Sequence, residues 1–252
     1  MRKILKVENL TKTFHQPGKA PFTAVDGVSL SLNEGEIVGI VGESGSGKST
    51  IAKLITRLIP ATEGRILLDG QDITALKGKD LREVYSKIQM VFQNPVGSFN
   101  PRRTLGQGIG ESLRNSGLSR RETDQKVGEL LEICGLPAEF ARRYPHEVSG
   151  GQCQRAAIAR ALAINPHILI CDEATSALDV TVQQQIIELL QKLQKTNHMS
   201  YLFICHNLAL VQMFCDRVLV LYDGKVVEEG TPDEVILSPK SDYTKNLVES
   251  IL

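Results

Sequence analysis

The stretch Gly42-Glu43-Ser44-Gly45-Ser46-Gly47-Lys48-Ser49-Thr50 constrains this chain more than any other. It fits G-x-x-x-x-G-K-[ST], the pattern in which a glycine-rich loop joins a buried strand to a helix. Both flanks are present. Glu36 to Val41 is a short apolar, β-branched run set off by Gly35 and Gly42, and a helical pattern follows from about Lys48 to Leu58, stopping before Pro60. Glycines at 42, 45 and 47 let the backbone curl so that successive N–H groups point inward and surround phosphate oxygens. The helix that starts there adds the positive end of its dipole. Lys48 is then placed to reach the β- and γ-phosphates, and the Ser49 hydroxyl to ligate Mg²⁺. A chance glycine-rich turn would lack the strand before and the helix after. The expected ligand is a nucleoside triphosphate.

Such a loop needs a parallel sheet behind it, and the chain alternates short β-branched runs with helical patterns as an α/β fold does. His167 to Cys171 and Ser200 to Cys205 read as central strands, separated by a helix from about Val180 to Thr196. Gly64 to Gly70 and Arg217 to Gly230 read as strand–turn units, the second carrying the hairpin signal Asp223-Gly224. From Arg103 to Asn165 there are only helical patterns and breakers. There Ser119 and Glu122 form a capping-box pattern that opens a helix running to about Cys134, ended by Gly135 and Pro137. An all-helical insert therefore interrupts an α/β core.

Length and composition agree. The 252 residues suit one large domain or a core with an inserted subdomain, long enough to bury a core without staples. The five cysteines, at 134, 153, 171, 205 and 215, form no CxxC and are expected to be reduced and structural. Lys plus Arg and Asp plus Glu each number 29, a balance that weighs against a general nucleic-acid binder. The first residues lack the apolar core of a signal peptide, and no run is long and apolar enough to span a membrane. A cytosolic chain is expected.

The acidic half of a phosphate site comes from His167-Ile-Leu-Ile-Cys-Asp-Glu173. A buried strand ending in two carboxylates puts Asp172 and Glu173 at the carboxyl edge of the sheet, where α/β sites form. Asp172 would hold Mg²⁺ with Ser49, and Glu173, pointing the other way, could take a proton from an attacking water. Further on, Ser149 is a natural N-cap for a helix from Gly150 to about Ile164, whose first turn exposes the backbone of Gly150 and Gly151 beside Gln152. A second anion-binding helix end, in a chain that already has a phosphate loop, suggests a site completed by another subunit.

In the run Val148-Ser-Gly-Gly-Gln152 the chain resembles the nucleotide-binding subunits of ABC transporters, whose signature is L-S-G-G-Q; Val148 replaces the usual leucine. The family's other motifs follow in order. Gln93 looks like the Q-loop glutamine, a ligand for Mg²⁺ and a catalytic participant. Ser176-Ala-Leu-Asp179 looks like the D-loop, His206 like the switch histidine and Phe14 like the adenine-stacking aromatic. Alone, Phe14 would be a core residue and His206 a capped structural histidine. The resemblance covers essentially the whole chain. It implies a P-loop NTPase fold of the ABC type, α/β, with an N-terminal antiparallel β subdomain and an inserted helical subdomain. The core would occupy about 1–92 and 166–232, the Q-loop and helical subdomain about 93–165, and a helical tail about 233–252. It also implies ATP and Mg²⁺ as cofactors, with Glu173, His206 and Gln93 catalytic. Phe14, the loop 42–50, Ser149 to Gln152 and Asp179 would contact nucleotide.

Two stretches narrow the subfamily. Phe92 to Arg102 resembles the extended Q-loop of peptide and nickel importers, and Leu237 to Leu247 resembles their tail pattern P-x-x-x-Y-T-x-x-L. The motif from Ser149 to Arg155 is nearest the second of the two ATPases in such systems. Peptide-importer ATPases usually continue into a cysteine-containing tail, so ending at Leu252 shifts the expectation toward a nickel or metal–chelator importer. The expected partners are two transmembrane permease subunits, a paralogous ATPase or a second copy of this chain, and an extracytoplasmic substrate-binding protein. The expected place is the cytoplasmic face of the membrane. The competing reading is a soluble ABC-type ATPase acting on ribosomes or nucleic acid. It lacks support because there is no second cassette, coiled coil or basic extension. A P-loop kinase would have no reason for the helix at Ser149.

Overall fold

A long hairpin comes first in the computed structural model, which describes residues 2–175 and 178–250. Strands β1 (Lys3–Phe14) and β2 (Phe22–Asn33) pair antiparallel. Then follow β3 (Ile37–Val41), α1 (Lys48–Ile55), β4 (Glu63–Leu68), the short β5 (Gln71–Asp72), α2 (Gly78–Lys87) and β6 (Ile88–Val91). The middle is helical: α3 (Leu105–Asn115), α4 (Arg120–Ile133) and α5 (Gly150–Leu162). The chain returns through β7 (Ile168–Asp172), α6 (Val180–Asn197), β8 (Ser200–Ile204), α7 (Leu208–Phe214), β9 (Arg217–Tyr222) and β10 (Lys225–Gly230). It closes with α8 (Pro232–Leu237) and α9 (Asp242–Glu249).

The larger sheet runs β10-β9-β3-β8-β7-β6, parallel except for the antiparallel edge strand β10. The smaller one runs β2-β1-β4-β5 and is antiparallel throughout. The unbroken apolar runs of the central strands follow from burial on both faces. Val38, Ile40, Ile168, Ile170, Leu202 and Ile204 face a core shared with α1 and the antiparallel sheet. Their neighbours Ile37, Val41, Leu169, Cys171, Tyr201 and Phe203 face the opposite core, which continues into the helical layer.

The helical layer uses the signals seen in the sequence. Ser119 accepts from the Glu122 amide while the Glu122 carboxylate accepts from the Ser119 amide, and Thr104 and Gln107 repeat the arrangement on α3. Differences from the expectation are local. α1 ends at Ile55 rather than Leu58 because Arg57 turns into the left-handed region at φ 59. α5 ends at Leu162, short of Ile164. α2 and β6 have no counterpart in the sequence reading, since α2 is mostly polar with Val84 alone buried and β6 has only four residues. Asp223 and Gly224, at φ 45 and 75, form the tight turn between β9 and β10. All five cysteines are buried and unpaired. Burial pushes the thiols of Cys153 and Cys205 up to about 11 and those of Cys134 and Cys171 up to about 12, so they stay protonated and inert. Among the described residues, no helix is long and apolar enough to cross a membrane.

Candidate active site

The carboxyl ends of β3, β7 and β8 lie side by side, and the loop 42–47 leaves the first of them. Only glycine serves at two of its corners. A Cβ on Gly42 (φ 150) would sit 2.2 Å from the Leu221 carbonyl, and one on Gly47 (φ 104) 2.3 Å from the Ala24 carbonyl. Gly47 is also the N-cap of α1 and makes no side-chain cap, so the first-turn N–H groups are left to a ligand. Lys48 is buried and folds back over the loop. Its Nζ donates to the carbonyls of Gly42 (2.7 Å) and Glu43 (2.6 Å) and reaches Ser46 Oγ at 3.4 Å. Burial lowers its pKa from the ordinary lysine value, against the pull of Glu173 and Asp172.

Next to it, Ser49 Oγ donates to Asp172 Oδ1 at 2.8 Å. Burial raises the Asp172 pKa, opposed first by that hydrogen bond. Gln93, just past β6, donates from Nε2 to Glu173 Oε2 at 2.7 Å, which leaves its own Oε1 as an acceptor. Ser49, Asp172 and Gln93 line one concavity. A hydroxyl, one carboxylate and an amide oxygen are the hard donors that suit a magnesium ion, which takes its remaining ligands from phosphates and water. Among the described residues no group of three or more His, Cys, Asp or Glu could hold a metal, consistent with so sparse a donor set. Glu173 occupies the left-handed region at φ 47, a strained conformation for a residue with a Cβ, and its amide donates to the Ile204 carbonyl at 3.0 Å. A cavity of about 640 Å³ brings Glu173 together with Gln93, His206 and Gly150.

Another cavity, of about 340 Å³, is lined by Ser44, Gly45, Gly47, Lys48, Ser49 and Thr50, together with Gln93, Glu173, Phe14 and Phe22. Sequence reasoning found Phe14 and missed Phe22. The two are register partners at the turn end of the β1–β2 hairpin, flanking the connection 15–21, and Phe22 is the more exposed, 59% against 38%. Only the pairing of the strands brings them together; the Phe-x₇-Phe spacing carries no signal of its own.

Ser149, Gly151 and Gln152 do not line these cavities. Ser149 caps α5, accepting from the Gln152 amide while Gln152 Oε1 accepts from the Ser149 amide. Gly151 lies where a Cβ would meet Val182 of α6 at 2.6 Å. Asp179 caps α6 by accepting from the Val182 amide. Ser176 and Ala177 of the expected D-loop lie outside the described residues. Arg160 of α5 is a further residue that the sequence did not reveal. Its guanidinium donates to Ser98 O (2.6 Å) and Ser98 Oγ (2.9 Å) and lies 4.3 Å over the Phe99 ring, clamping the segment after Gln93 onto the helical layer.

Comparison with known proteins gives this geometry relatives. Residues 25–176 match the family model described as ABC transporter. The oligopeptide transport ATP-binding protein OppF of Salmonella typhimurium is 50% identical over 240 residues, which cover 94% of this chain and 72% of that protein. The dipeptide transport ATP-binding protein DppF of Lactococcus lactis subsp. cremoris is 44% identical, covering 99% of this chain and 81% of that protein. Among solved structures, the dimeric post-hydrolysis state of the ATP-binding cassette MJ0796 bound to ADP and Pi has a TM-score of 0.83 at 34% identity, covering 90% of this chain and 98% of that one.

Proposed function

The chain belongs to the ABC transporter family, and from that premise we propose that it is the ATP-binding and ATP-hydrolysing subunit of an importer whose cargo is a peptide. The observation that carries the reading is the convergence of Lys48, Ser49, Asp172, Glu173 and Gln93 at one sheet edge, beside two exposed phenylalanines. Adenine stacks on Phe14, with Phe22 as a second wall, and the phosphates lie along the loop 42–50. Lys48 exchanges the loop carbonyls for β- and γ-phosphate oxygens. Ser49, Asp172 and Gln93 would hold a magnesium ion, whose charge would neutralise that developing on the phosphates. Glu173, oriented by Gln93, accepts the proton of the attacking water, and His206, on the wall of the same cavity, contacts the γ-phosphate. Ser149, Gly150 and Gly151 serve a second subunit. In a head-to-tail dimer their helix end would close over the partner's phosphate loop, and Asp179 would lie at that seam while it caps α6.

The cargo rests on relatives whose names specify oligopeptide and dipeptide transport. Nickel or a metal–chelator complex, the other cargo that the resemblance left open, is not what these relatives are named for. Two permease subunits, an extracytoplasmic binding protein and a related ATPase, or a second copy of this chain, complete the machine at the cytoplasmic face of the membrane. Reconstitution of the chain with its permeases and binding protein in liposomes tests this. ATP-dependent uptake of a labelled oligopeptide, with hydrolysis stimulated by that peptide, is expected. Uptake of nickel alone would overturn the cargo, and hydrolysis stimulated only by ribosomes or nucleic acid would overturn the transporter role.

A further inference from the structure

The tail motif around Tyr243 and Thr244 takes no part in the chemistry above, yet it reaches the nucleotide site. Tyr243 sits in the first turn of α9, and its hydroxyl accepts a hydrogen bond from the backbone N–H of Glu43 at 3.0 Å. The other side of that same peptide unit, the Gly42 carbonyl, accepts from Lys48 Nζ at 2.7 Å. A planar trans peptide sends its N–H and C=O in opposite directions, so these two bonds together set its orientation. The geometry points to Tyr243 as a positioning residue of the nucleotide site: from the C-terminal helix it holds the Gly42–Glu43 peptide on which Lys48 rests.

The helix that carries Tyr243 is itself fixed. The Glu228 carboxylate of β10 accepts from the amides of Lys240 and Ser241, both at 2.9 Å, just where α9 begins. Leu247 and Val248 are buried in the core, and the Tyr243 ring packs on Tyr222 with centroids 4.2 Å apart. Tyr222 directly follows Leu221, whose carbonyl is the atom that Gly42 must leave room for. The start of the phosphate loop is therefore gripped between the end of β9 and the tail helix. Burial raises the Tyr243 pKa, so its hydroxyl stays neutral and available as an acceptor.

The inference rests on the nucleotide reading above, and Tyr243→Phe in the full-length chain tests it while keeping the ring that packs on Tyr222. Losing one neutral hydrogen bond corresponds to about a fivefold change. The dissociation constant for ATP should rise by about that factor, with kcat in the assembled transporter unchanged, as for a loss of uniform binding. Amide exchange at Glu43 in the nucleotide-free chain should quicken to a similar degree. Unchanged exchange at Glu43 would overturn the proposal, as would a fall in kcat with unaltered ATP affinity. A wild-type chain that failed to bind ATP would refute the nucleotide reading instead, and the exchange measurement would still decide the Tyr243 contact.

Discussion

Two helices of this chain begin with a small residue and a run of backbone N–H groups, and they are prepared for anions in different ways. α1 starts at Gly47, in the left-handed region, with no side chain capping it. Among the described residues no side chain caps its first-turn donors, and Lys48 and Ser49 stand in the same turn. α5 starts at Ser149 in extended geometry with a complete capping box, so Ser149 Oγ and Gln152 Oε1 already satisfy two orphan amides. The first end is incomplete without a ligand, whereas the second is stable without one and offers only the Gly150 and Gly151 amides and the Ser149 hydroxyl proton. This difference is what the proposed arrangement needs: the first end would bind nucleotide within one chain, and the second would add to a site that another chain has filled.

Glu173→Gln separates binding from turnover most sharply. The amide keeps shape but cannot take a proton, so hydrolysis should fall by about 10²–10⁴ while ATP still binds at the α1 end and the closed dimer accumulates. Wild-type turnover in purified transporter carrying this change would remove Glu173 from the role of base.

Next in size is the contrast between the two ends. Lys48→Ala should weaken ATP binding by about 10–100-fold, the loss of a charge-assisted hydrogen bond worth about 1.5–3 kcal/mol, and it should do so in the isolated chain. Ser149→Arg should leave the isolated chain's ATP affinity intact and abolish hydrolysis only in the dimer. If the chain self-associates, mixing the two inactive variants should restore some hydrolysis, because one site of the mixed dimer is intact. If a paralogue is the partner, Ser149→Arg combined with a P-loop lysine variant of that paralogue spares one site. Equal residual activity when it is combined instead with a signature variant would end the trans arrangement.

The smallest effect belongs to the cap itself. Gln152→Ala removes half of the capping box and should cost about 0.5–1 kcal/mol, seen as a slightly lower denaturant midpoint with ATP affinity unchanged. A large loss of stability would mean that α5 depends on its end far more than the buried face of Cys153, Ala156, Ala157 and Leu162 suggests.

The amino-acid sequence determined whatever is local. The loop 42–50, the strand before it and the helix after it are contiguous, and the positive φ of Gly42 and Gly47 is open to glycine without strain. The unbroken apolar runs of β3, β7 and β8 marked a sheet buried on both faces, and Ser119 with Glu122 announced its own helix. Asp172 and Glu173 could be placed at the sheet edge because a strand that ends in two carboxylates has to end there. Tertiary structure decided what depends on contacts between distant segments. Phe22 meets Phe14 only through hairpin register, Arg160 meets Ser98 only through the packing of the helical layer, and Tyr243 meets Glu43 across 200 positions of chain. Phe22 and Arg160 are ordinary residues in ordinary surroundings, and the tail pattern that holds Tyr243 names no partner for it, so no short pattern encodes these contacts. Period and spacing register only along the backbone, whereas a hydrogen bond or a ring contact is set by which surfaces the two buried cores bring face to face.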